Sequence, residues 1–183
     1  MWTLLVLLPL VACSGKAIDT SPSSETGETD TDPSGTAPTD TDWGDPCDPN
    51  PAHPSVTIGM GELEYAAIDT DDPTIELVHG PQGGFHITMA LEGRYLDSDN
   101  PSIATMEGRI DGVLLADSTP YIDWRCNPAV PALQAWNLLL IYDAQPEELH
   151  LKETEVTVEV VDATGVTASA TTTLTIFDPL LAD

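Results

Sequence analysis

Residues 78–87, VHGPQGGFHI, set two histidines on either side of a loop of Gly, Pro and Gln. Imidazole is the commonest metal ligand and titrates near neutral pH, so a His pair at this spacing raises a metal centre or a catalytic loop. The other histidines, His53 in PNPAHPS and His150 in ELHLK, enlarge the candidate set. A second chemistry is oxygen ligation. The loops DTDD (Asp69–Asp72) and DSDN (Asp97–Asn100) follow predicted strands, where acidic loops hold calcium. Both also read as ordinary turns, because Asp and Asn bond their own backbone and Pro73 and Pro101 follow directly. Thiol chemistry is restricted by spacing: Cys13, Cys47 and Cys126 form no CxxC pair for zinc or redox work. HExxH, GxSxG and a phosphate loop ending in GK[ST] are missing as well. The sequence therefore assigns no catalytic, cofactor-binding or metal-ligating residue and implies no cofactor and no enzyme. An exported metal-binding protein, with Ca²⁺ or a His site, and a hydrolase with an unfamiliar site are the alternatives.

The strands that flank the two histidines decide whether they can act together. Thr74–His79 and Gly84–Glu92 read as two arms of one antiparallel hairpin. Ile75 and Leu77 share a parity with His79, and Phe85, Ile87, Met89 and Leu91 share another. Paired residues of an antiparallel ladder face the same side, and a one-residue slip reverses every contact. The register that joins the apolar sets pairs Leu77 with Ile87 and His79 with Phe85. It leaves Gly80, Pro81, Gln82, Gly83 and Gly84 as a five-residue loop with glycines where positive φ is needed. His79 then lies at a core-facing edge beside Phe85 and His86 points to the opposite face. The expectation is a structural turn whose histidines are not joint ligands.

The same alternation runs through the rest of the second half. Strands are predicted at Ser55–Gly59, Glu62–Ile68, Ile103–Ile110, Gly112–Asp117, Tyr121–Cys126, Ala135–Asp143, Thr154–Asp162 and Val166–Phe177, with little helical periodicity. The prolines of PAVPALQAW favour a helical turn or an irregular crossover there. Many short strands with regular turns read as an all-β sandwich. The closing pattern is the clearest. Val156, Val158 and Val160 alternate with polar residues, DATG turns the chain, and Ala168, Ala170, Leu174 and Ile176 continue. Pairing Val160 with Ala168 leaves Ala163, Thr164 and Gly165 as a three-residue loop, with Gly165 free to take positive φ. This resembles the closing hairpin of bacterial immunoglobulin-like domains such as PKD and cadherin-like modules, whose last strands read V-x-V-x-D-x-x-G. The resemblance implies an immunoglobulin-like antiparallel β-sandwich and no particular activity. Trp124, Trp136, Tyr121 and Tyr142 read as core fillers; an exposed subset of them would mark a carbohydrate- or protein-binding face.

The first half carries the address. An apolar run from Trp2 to Ala12 is too short to cross a bilayer but suits a signal peptide. It ends in Leu10-Val11-Ala12-Cys13, which resembles the lipobox of bacterial lipoproteins, although no basic residue precedes the Leu run. The resemblance implies cleavage before Cys13 and a diacylglyceryl, palmitate-type anchor on its thiol. Ser14 in the next position resembles the outer-membrane sorting pattern of Gram-negative bacteria. With Cys13 lipidated, Cys47 and Cys126 remain as an even pair, which in an oxidising compartment reads as a disulfide. GMGELEYAAI followed by IELVHGPQGGFHITMAL also resembles Gram-negative surface lipoproteins in which a GPQGG-aromatic-His stretch follows a G-x-G-E segment; this implies location and no activity.

Three parts follow: a signal peptide at 1–12, a Ser/Thr/Asp/Gly/Pro-rich tether at 13–46, and the β-sandwich at 47–183. The tether has too little apolar surface to offset its ordering entropy and is expected to be disordered. The 31 acidic residues against 5 basic ones, scattered as Lys16, Arg94, Arg109, Arg125 and Lys152, exclude nucleic acid as a partner. The reading is a non-catalytic, lipid-anchored cell-envelope module on the outer membrane. It would display a binding or structural sandwich, with the membrane and a protein or glycan as partners.

Overall fold

The computed structural model describes residues 44–182. The segment expected as signal peptide, Cys13 and the expected tether up to Trp43 lie outside the described residues. Twelve strands and one short helix follow in order: β1 (Ser55–Met60), β2 (Ala66–Ala67), β3 (Thr74–Glu76), β4 (Val78–His79), β5 (Phe85–Arg94), β6 (Ser102–Ile110), β7 (Val113–Ser118), β8 (Tyr121–Ile122), β9 (Arg125–Asn127), β10 (Ala132–Tyr142), α1 (Pro146–Leu149), β11 (Glu153–Val161) and β12 (Thr167–Phe177). The protein is all-β. The ladder runs β2-β1-β5-β10-β7-β6-β11-β12-β3, with β4 on β5, β8 on β6 and β9 on β10. Strands β7 and β10 meet only at the Tyr142–Ala116 pair, so the path folds there into two layers. Side chains of both layers share one core: Ile58, Ile87, Met89, Leu91 and Leu140 from the first, and Met106, Val156, Val158, Val160 and Leu174 from the second. The order β1-β5-β10 in one layer and β6-β11-β12 in the other matches the A-B-E and C-F-G layers of an immunoglobulin-like sandwich.

The closing hairpin shows why the sequence folds this way. Val156, Val158 and Val160 are fully buried, whereas the alternating Glu155 and Glu159 are exposed. Each buried Val contributes on the order of 1.5–3 kcal/mol relative to exposure. Val160 pairs with Ala168, the register set by parity. At the turn, Asp162 N–H donates to Val166 O at 3.0 Å, Gly165 N–H to Asp162 O at 3.0 Å, and Gly165 takes φ +85°. The Gly80–Gly84 turn repeats this design. Gly80 N–H donates to Gly84 O at 2.8 Å, Gly83 N–H to Gly80 O at 3.0 Å, and Gly83 takes φ +83°. The expected five-residue loop thus contracts to Pro81, Gln82 and Gly83 between a bonded glycine pair.

Three strand expectations and one turn expectation change. Thr74–His79 is not one arm. Thr74–Glu76 runs parallel to β12, Leu77 N–H bonds Phe177 O at 2.8 Å, and only Val78 and His79 pair with β5. The sandwich is therefore antiparallel except for this one pair, because the chain changes layer at Leu77, which is almost wholly buried. Tyr121–Cys126 is likewise divided. Tyr121 and Ile122 pair with β6, and Arg125 to Asn127 pair with β10. Of Glu62–Ile68 only Ala66 and Ala67 join a ladder. The prolines of PAVPALQAW form no helical turn but close the β9–β10 hairpin between the paired Asn127 and Ala132. The helix stands instead at Pro146–Leu149, where Gln145 N–H donates to the Glu148 carboxylate at 3.0 Å. Pro at the first helical position and acidic residues in the first turn are start signals present in QPEE.

Cys47 and Cys126 are disulfide-bonded, with Cα atoms 5.7 Å apart. The bond ties the segment ahead of β1 to β9, and Tyr95 N–H, donating to Pro46 O at 2.7 Å, holds the same segment. Beneath it Trp124 is buried and its indole N–H donates to Ser102 Oγ at 2.9 Å.

Candidate functional site

The layer change between β8 and β9 and an irregularity in β10 together build a cavity. Along the crossing segment Ile122 and Trp124 face the core, so the alternating Tyr121, Asp123 and Arg125 face outward. Opposite them β10 carries one extra residue. Ala135 pairs with Leu91 and Leu138 with Met89, which leaves three steps on β10 against two on β5. Such a bulge re-aims side chains. Ala135 and Leu138 both remain buried, and Trp136 and Asn137 between them are half-buried and exposed. Asn137 takes φ +59°, a conformation that Asn adopts more readily than most residues, and its N–H donates to Gly61 O at 3.0 Å. Tyr121, Asp123, Arg125, Gln134, Trp136 and Asn137 line the resulting cavity of about 250 Å³.

Arg125 is the most informative of these groups. Its guanidinium carbon lies 4.9 Å from the centroid of the Trp136 ring, a cation–π contact. Arg109 pairs with Glu107 at 2.9 Å and Arg94 lies 3.6 Å from Glu92. Among the described residues the Arg125 guanidinium forms neither an ion pair nor a hydrogen bond, so its contact with the indole leaves the N–H donors available. Gln134 is fixed as wall: it accepts from Asn127 at 3.0 Å and reaches Glu92 at 3.4 Å. Tyr121 is 76% exposed. The set combines an aromatic surface, a planar cation, a carboxylate and a carboxamide. It offers faces for stacking and paired donors and acceptors for hydroxyls or a carboxylate, with no nucleophile–base pair among these residues. Further along the outer face of β10, Leu139 and Ile141 are exposed beside His86 and the Pro81–Gln82 turn.

The aromatic residues thus divide. Trp124 and Tyr142 are core; burial pushes the Tyr142 hydroxyl up to about 12, against the opposing hydrogen bond to Thr154 at 3.2 Å. Tyr121 is exposed and Trp136 half-buried. Sequence reasoning counted Arg125 only among scattered cations and passed over Asp123 and Asn137. The alternation Y-I-D-W-R, with apolar residues at the second and fourth places, is the signal that marks the outward set.

His79 and His86 are not brought together. His79 pairs with Phe85 and His86 with Val78, so the two rings leave opposite faces of the hairpin. His79 packs edge-on against Phe85 with centroids 5.0 Å apart, and its Nε2 lies 2.9 Å from Asp178 Oδ2. Asp178 is fully buried. Burial would raise its carboxyl, but the Leu180 N–H and the bond to His79 hold it below the usual range. His150 accepts from Asp178 N–H at 3.0 Å through Nδ1. These contacts clasp the chain end after β12. His53 lies in the turn after Asn50, whose backbone oxygen accepts the His53 N–H. The acidic loops use their carboxylates on themselves: Asp69 accepts from Asp71 N–H at 2.9 Å, and Asp97 accepts from Asp99 N–H at 3.0 Å and from Asn100 at 3.2 Å. Among the described residues no group of three or more His, Cys, Asp or Glu side chains is arranged to hold a metal ion.

No protein-family model, no curated protein and no solved structure matches the chain.

Proposed function

We propose that the chain is an exported lipoprotein, anchored through Cys13 to the outer membrane, that displays its sandwich on the acidic tether as a non-catalytic saccharide-binding module. The observation that carries this reading is the exposed Tyr121 and the half-buried Trp136 around one polar cavity, placed there by a strand crossing and a bulge. Aromatic rings exposed beside paired polar groups suit a sugar ring, whose C–H face stacks and whose hydroxyls both donate and accept. A cavity of about 250 Å³ lies just below the usual range for drug-sized ligands and suits one or two sugar units. The tether, with a root-mean-square reach of roughly 30 Å if flexible, supports a role in holding the module away from a surface. Titration calorimetry of the purified chain against neutral and acidic oligosaccharides tests the reading. Binding by the wild type, weakened about tenfold (~1.4 kcal/mol) in both Trp136→Ala and Tyr121→Ala at unchanged Tm, supports it. A wild type that holds no oligosaccharide overturns it.

A further inference from the structure

We infer, resting on the saccharide-binding reading, that the sugar is acidic and that Arg125 reads its carboxylate, as in a uronate residue. In a chain with 31 acidic residues, an arginine beside a cavity that forms no ion pair among the described residues calls for a cause. Trp136 supplies it: the guanidinium carbon lies 4.9 Å from the ring centroid, a cation–π contact. That contact uses none of the N–H donors in a hydrogen bond, and a planar fork of N–H donors matches a carboxylate bidentately. A neutral sugar gives this fork only hydroxyls, which a Gln or Asn in that place would serve as well.

Asp123 shares the cavity and opposes an anion, yet it does not cancel the fork. No ion pair joins it to Arg125 among the described residues, although both line the same cavity. Its role in the complex is to accept hydrogen bonds from hydroxyls, which a carboxylate does with two oxygens. Asn137 makes no side-chain hydrogen bond among the described residues and is free to donate to or accept from a further hydroxyl. A uronate satisfies all three groups together: carboxylate on Arg125, hydroxyls on Asp123 and Asn137, ring face toward Tyr121. The remaining negative charge of the chain does not forbid this, because charges beyond the Debye length of about 8 Å at physiological salt are largely screened.

The test uses the purified chain and oligomers of galacturonate, glucuronate, mannuronate and guluronate, each beside its own carboxyl-reduced neutral form, by titration calorimetry. Binding of at least one acidic oligomer, with its reduced form at least tenfold weaker, is the expected result. Arg125→Gln should lose the same factor toward the acidic oligomer only, while Arg109→Gln, whose arginine already pairs with Glu107, should not. The comparison of acidic and reduced oligomers needs no variant, so a folding defect cannot mask it. Equal binding of the two forms, or acidic binding untouched in Arg125→Gln, overturns the acidic inference and leaves the saccharide reading standing. Binding of no oligomer, acidic or neutral, removes both, as does a peptide C-terminal carboxylate that binds where every oligomer fails.

Discussion

Removing the disulfide by Cys47→Ala with Cys126→Ala should cost more than any single surface change. The two cysteines are 79 residues apart, so the bond closes more than half of the domain into one loop. The chain-entropy relation for a loop of that length gives roughly 4.5 kcal/mol at 25 °C, acting mainly by restricting the unfolded chain. Unfolding entropy near 60 °C is about 2.1 cal/mol/K per residue, or ~0.3 kcal/mol/K over roughly 140 folded residues, so the bond corresponds to a Tm difference of about 15 °C. Residual structure in the open chain lowers this ceiling, which makes roughly 8–15 °C the expected range. The Pro46–Tyr95 hydrogen bond stays in the variant and keeps the segment near its place. Differential scanning calorimetry of wild type and variant at one pH measures the loss. A shift under about 3 °C would refute the reasoning, since it would mean that the hydrogen bonds and packing around Pro46 already restrict the chain as the bond does.

The two histidines of the opening stretch should behave unequally. His79→Ala takes a donor from the fully buried Asp178 carboxylate and should lower stability by about 1.5–3 kcal/mol, whereas His86→Ala on the outer face should stay within about 0.5 kcal/mol. Equal losses in urea melts would contradict the opposite-face assignment. Acid should loosen the chain end and the last turn. Asp178 and Asp162 both titrate below the ordinary carboxylate value; for Asp162 burial acts upward and is outweighed by bonds from the Asp97, Thr164 and Val166 backbone and the Thr164 hydroxyl. Depressed carboxyls give stability that is complete above about pH 4 and is lost as pH falls through the folded values. Urea melts between pH 2 and 7 should therefore show a shallower acid limb in Asp162→Asn with Asp178→Asn than in wild type, and identical limbs would dismiss these two as the groups responsible. Finally, intact-mass measurement on membrane-extracted protein should find a diacylglyceryl group on Cys13. An unmodified thiol, or a freely soluble product lacking residues 1–12, would end the anchoring proposal.

Local pattern by itself determined the strands whose two faces differ. In β11 the Val/Thr/Glu alternation admits one register, since a slip of one residue would bury Glu155 and Glu159, and Val160 accordingly meets Ala168. The same logic joined His79 to Phe85 and separated His86 from it. Glycines at 83 and 165 marked the turns because the backbone takes positive φ at both, a conformation glycine adopts without steric cost. What alternation does not encode is which neighbour a strand chooses. Thr74–Glu76 and Val78–His79 form one apolar–polar pattern, yet their backbone groups bond different layers, and only the position of β12 beside Leu77 divides them. The cavity has the same origin. Tyr121, Asp123 and Arg125 are spaced as any outward row of a strand. Trp136 was indistinguishable from the buried Trp124 by residue type. They meet because one segment crosses between layers where β10 gains a residue, and the folding of both layers around one core sets that meeting.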